Sequence, residues 1–140
     1  ETPVLLVWSK KTGKHTSKYI DNPDWKMKIS EAGASAMELI GEGDWNSARW
    51  SELIDRSLIF ACESGLESDA SRSDIIGAAN DEIGSSGFSD RLTAMLCMLG
   101  ESVVIVPNDS LDGDDWLGDL SSVFEARGFS TFPSQIGGLR

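Results

Sequence analysis

The run Val103-Val104-Ile105-Val106 constrains this chain more than any other feature. Four consecutive β-branched residues lose side-chain freedom in a helix and pack well on a pleated surface. A continuous apolar run, as opposed to an alternating one, belongs to a strand covered on both faces. Pro107 closes it, and an acidic loop follows over 108–115. Trp116, Leu117, Leu120, Val123 and Phe124 then recur at helical spacing up to Gly128, and Phe129–Phe132 can form another short strand. Strand, helix, glycine turn and strand is the βαβ order, which favours a parallel pair joined by a right-handed crossover. The expected class is therefore α/β and helix-rich, with a small sheet.

The middle of the chain reads as helical. Ser30 can cap a helix through Ile40, and Asp44 a longer one to about Glu63, where Trp50, Leu53, Ile54, Leu58, Ala61 and Cys62 form one apolar stripe. Ser71 or Ser73 opens a third helix to Ile83. Ser89 opens a fourth to Leu99, apolar nearly all round and so expected to be buried. With the helix before Gly128, about five helices are expected.

The first 29 residues have a different character. Val4–Trp8 reads as a buried strand and Ser9–Ser17 as a polar turn around Gly13. Trp25, Met27 and Ile29 alternate with Lys26 and Lys28, the period of a half-buried strand, after the turn-like Asn22-Pro23-Asp24. A basic β-hairpin over 1–29 is the expectation. It would be followed by a helical region over 30–100, a strand-helix-strand unit over 101–132 and a loosely held tail over 133–140. All four belong to one domain, since 140 residues make a single core of ordinary size.

Charge is distributed unevenly. All six lysines (Lys10, Lys11, Lys14, Lys18, Lys26, Lys28) lie in the first 28 residues against three acids, a local charge of +3. Residues 29–140 carry six arginines against 20 acids, −14, within a total of −11. A basic end on an acidic body can steer a partner or favour head-to-tail self-contact. The six lysines are thus the candidate interaction residues, and the expected partner is another protein or a second copy of this chain. Interleaving of Trp8, Tyr19 and Trp25 with those lysines also permits single-stranded nucleic acid, although the acidic body would repel a polyanion.

Catalytic patterns are sparse. The single histidine, His15, leaves no His-based metal cluster within one chain. Gly13-Lys14 lacks both ends of a phosphate-binding loop, because Trp8 stands where the first glycine belongs and His15 where a Ser or Thr should follow. Asn108, Ser110, Asp112, Gly113 and Asp119 occupy positions of a calcium-loop template, but the first two ligands are not acids and position 12 is Asp in place of Glu. A competing expectation places an Asp-rich loop over Mg²⁺ and a phosphorylated substrate, since ligands of open α/β sheets bind beyond the carboxyl ends of strands. No lysine follows residue 28 to meet such phosphates. Cys62 and Cys97 are expected to be reduced, buried core residues in a cytoplasmic setting. No apolar run is long enough to span a bilayer. The reading favoured by these residues is a non-enzymatic interaction or assembly module with no cofactor.

Overall fold

The computed structural model describes residues 2–9, 23–41, 47–65, 70–97 and 102–136. Their order is β1 (Thr2–Ser9), α1 (Pro23–Ile40), a short 3-10 turn (Ser47–Arg49), α2 (Trp50–Glu63), α3 (Ala70–Ser85), β2 (Leu92–Leu96), β3 (Ser102–Pro107), α4 (Leu117–Ala126) and β4 (Phe129–Ile136). The four strands form one sheet in the order β2-β3-β1-β4, every neighbouring pair antiparallel. The chain is thus α/β, and Val103–Val106 lies in a strand flanked on both sides. Val103, Ile105 and Val106 are buried, while Val104 is half-buried.

Three expectations change. First, the residues after Ser89 form strand β2 and not a fourth helix. Leu92, Ala94 and Leu96 turn to one face of the sheet and Thr93 and Met95 to the other, as their register with β3 requires. Apolar residues all round do not distinguish a buried helix from a strand with two covered faces. A Schellman motif supplies the break: Gly87, at φ +80°, donates its N–H to Gly84, and the Phe88 N–H reaches back to Ile83 at 3.0 Å. That stops α3 and turns the chain toward β2. Four helices of a full turn or more therefore replace the expected five among the described residues.

Second, the expected pairing of the βαβ-like unit is not formed. β3, α4 and β4 do follow one another, but both strands pair antiparallel with β1, which lies between them. β3 and β4 run in the same direction one strand apart. Inserting β1 gives the central apolar strand Val4–Trp8 two partners, which local order along the chain cannot reveal. β4 also extends past the expected end to Ile136, so Pro133–Ile136 belongs to an edge strand, a position that tolerates proline.

Third, the basic hairpin over 1–29 is not formed as expected. Trp25–Ile29 lies inside α1. Pro23 occupies the first helical turn, where its missing N–H costs nothing, and Asp24 faces the positive helix end. Trp25, Ile29, Ala32, Gly33 and Ala36 then make the half-buried or buried helical stripe, with Lys26, Met27 and Lys28 exposed. Five alternating residues fit both periods, and the longer stripe decides.

The core has two sides. On one face of the sheet, Leu5, Val7, Ala94, Val103 and Ile105 pack against Ile75, Ala79 and Ile83 of α3 and against Trp116, Leu120 and Phe124 from the α4 segment. On the other, Val4 and Val106 meet Ile54 of α2, with Trp50, Met95 and Val104 around them. The Trp50 indole N–H donates to the Pro107 carbonyl at 2.7 Å, fixing the start of α2 over the end of β3. No helix of the described residues is long and apolar enough to cross a membrane.

Candidate functional site

The second face of the sheet is covered only in part. Antiparallel register places Leu6 opposite Phe132, Trp8 opposite Ser130 and Thr2 opposite Ile136, so these side chains share the face that α2 occupies over β2 and β3. On the β1 side of this face Thr2 and Val4 are buried and Leu6 is half-buried, and among the described residues the exposed apolar side chains beyond α2 are those of Trp8, Phe132 and Ile136. Trp8 is 38% exposed, Phe132 56% and Ile136 44%, whereas Val7 and Leu5, one residue away on the other face, are fully buried. β1 and β4 contain no charged residue in a chain that is 25% charged. The exposed part is a narrow ledge along β4, with Trp8 of β1 at one end. Sequence reading missed this ledge because it took Trp8 as core and Pro133–Ile136 as tail. The absence of charge from both segments was the available signal.

A cavity of about 620 Å³ lies on the other side of α2. Gly33 and Met37 of α1, Phe60 and Ala61 of α2, and Met95 and Val104 of the sheet are among the residues that line it. Two arginines and a cysteine are also among its lining residues: Arg56 from α2, Arg72 from α3 and Cys97 at the end of β2. Arg72 is fully buried. The Arg56 Nε–H is buried and has no hydrogen-bond partner among the described residues. Burial pushes the Cys97 thiol up, against the smaller opposing effects of a hydrogen bond with Ser102 and the charge of Arg72. Neither arginine was singled out from the sequence, since each is an isolated cation within an otherwise ordinary helix.

The acidic loop is organised by an arginine. The Arg91 guanidinium donates to Asp112 at 3.2 and 3.0 Å and to Asp115 at 3.0 and 2.8 Å. These bonds hold both carboxyls below the usual carboxylate range. Asp115 therefore faces Arg91 and does not cap α4. Neither does Asp114, because Trp116 occupies the cap position with no side-chain cap bond. Of the candidate metal ligands, Asn108 bonds Thr93 and the Asp90 carbonyl, and the Ser110 carbonyl accepts from Thr2. Asp112 is engaged by Arg91, and Asp119 sits in the first turn of α4. Among the described residues no group of three His, Cys, Asp or Glu is placed to hold a metal ion.

The six candidate lysines are divided. Lys10, Lys11, Lys14 and Lys18 lie outside the described residues, as do His15 and the Gly13-Lys14 segment. Lys26 and Lys28 are exposed on α1, with the Lys28 Nζ 5.9 Å from the Trp25 ring centre. The lysine and aromatic side chains of 25–28 are thus arranged on a helix and not along a strand. The two cysteines also differ from expectation in burial. Both are free, but Cys62 is exposed, because the stripe of α2 that turns inward centres on Ile54, and Cys97, just past the end of β2, is only half-buried. Comparison of the chain with known protein families, with curated proteins and with solved structures gives no match.

Proposed function

We propose that this chain is a non-enzymatic protein-interaction module that receives one amphipathic helix of a partner protein on the β1/β4 ledge. The observation that carries the reading is the uncharged, solvent-facing row of Trp8, Phe132 and Ile136 beside α2. Contiguous apolar surface with an aromatic anchor is the chemistry of helix-in-groove recognition. A narrow strip of this kind suits one helix better than a second copy of the sheet, whose stable docking would need about 800 Å² per partner. Pro133 in β4 and the missing N–H it brings also oppose edge-to-edge pairing. With a net charge of −11, the surroundings favour a helix whose outer face is basic.

Titration with an 18-residue peptide of leucine and lysine in amphipathic order tests the reading, with a scrambled peptide of the same composition as control. The amphipathic peptide should bind at least about tenfold tighter. Phe132→Asp combined with Ile136→Ser should remove that difference while leaving weak, salt-sensitive binding of both peptides. Equal binding of the two peptides by the unaltered protein would overturn the proposal.

A further inference from the structure

We propose that the cavity between α1, α2 and β2 binds a small apolar monocarboxylate, with its carboxylate on Arg56 and its hydrocarbon against Phe60, Met95 and Val104. This site is separate from the ledge and does not depend on it.

Volume and lining agree with a small-molecule site. About 620 Å³ falls inside the range of ligand pockets, which combine a mainly apolar wall with a few fixed polar groups. Here the polar groups are cationic. Arg56 lines this apolar space, and its Nε–H, itself buried, has no hydrogen-bond partner among the described residues. Arg72 lines the same cavity, and its charge acts on the Cys97 thiol of that wall. A guanidinium presents two parallel N–H groups that match the two oxygens of a carboxylate.

The remaining lining argues against a larger or more polar headgroup. The Ser57 hydroxyl, also at the cavity, already donates to the Leu53 carbonyl at 2.8 Å. A phosphate would bring more acceptors than these donors satisfy, whereas one carboxylate is matched by one guanidinium. Glu52 responds to the charge of Arg56, yet its hydrogen bonds go to Arg49 at 3.0 Å, which leaves Arg56 available to a ligand.

Calorimetric titration with decanoate and with decanol, both below self-association, decides the matter. Saturable one-to-one binding of decanoate is expected, about tenfold tighter than decanol, equivalent to about 1.4 kcal/mol. Arg56→Met keeps the apolar stem and should erase that preference while leaving decanol affinity unchanged. Ala36→Trp, which fills the α1 side of the cavity, should weaken both ligands. Amide shifts on decanoate addition should centre on Gly33, Ala61 and Cys97. Absence of saturable binding, equal affinity for acid and alcohol, or shifts centred on Leu6 and Phe132 would each overturn the proposal. Should Arg56→Met fail to fold, the acid-to-alcohol ratio and the shift map of the unaltered protein still decide it.

Discussion

Arg91 and Asp112 are joined by two guanidinium–carboxylate hydrogen bonds of 3.2 and 3.0 Å, which tie the turn before β2 to the loop after β3. The same guanidinium holds Asp115 and lies 5.5 Å from the Phe88 ring centre. One side chain thus anchors a loop that repulsion among Asp109, Asp112, Asp114 and Asp115 would otherwise spread. The Asp112 carboxylate in turn accepts the Gly113 N–H at 2.9 Å.

Arg91→Ala should release this loop without unfolding the sheet. Hydrogen exchange at the Asp112 and Gly113 amides should accelerate severalfold, while β3 amides keep their protection. Unchanged exchange at 112 and 113 would show that the backbone alone holds the loop.

The pH dependence of the same contact follows from the lowered pKa values of Asp112 and Asp115. Groups depressed on folding contribute stability that is fully present well above their ordinary value of 3.8 and is lost as pH falls through the folded value. Stability should therefore decline as pH drops below about 4, and less steeply in Arg91→Ala. Urea titrations at pH 7 and at about pH 3 check this by the difference between the two proteins.

Neighbouring positions in the sheet should respond very differently to truncation. Leu5 is fully buried, so Leu5→Ala should cost about 2–5 kcal/mol. Phe132 is 56% exposed, so Phe132→Ser should change stability by only about 0.5 kcal/mol. Chemical denaturation of the two variants checks the assignment of faces, and comparable losses would refute it.

Two glycines should show opposite signs. At Gly87, φ is +80° and an added Cβ meets nothing within 4 Å, so Gly87→Ala should cost about 1–2 kcal/mol through backbone conformation alone. Gly77 lies inside α3 with the same open space, so Gly77→Ala should stabilise by about 0.5–1 kcal/mol. Melting temperatures of both variants provide the measurement.

The thiols should separate kinetically. Cys62 is exposed and should react with a disulfide reagent in the native protein at close to its denatured rate. Cys97, half-buried and with its thiol pushed up, should react at least about tenfold more slowly. Protection of Cys97 by decanoate would add support for the cavity.

Local chemistry determined much of this protein. The β-branched run of Val103–Val106 made β3, the helical spacing from Trp116 to Phe124 made α4, and Gly65 and Gly128 marked helix ends where positive φ is required. Each of these signals is complete within a few residues, so no distant partner is needed to read it. Tertiary structure decided the rest. Leu92–Leu96 became a strand because β3 offered an unpaired edge and both sheet faces offered apolar cover, which outweighs helix propensity. β1 separated β3 from β4 because strand partners are chosen across the whole chain. The ledge and the cavity exist only as leftovers of that packing: α2 covers β2 and β3 but not Trp8 and Phe132, and its other side meets α1 without filling the space around Arg56. An unfilled surface is a relation among elements, and residue order along the chain does not carry it.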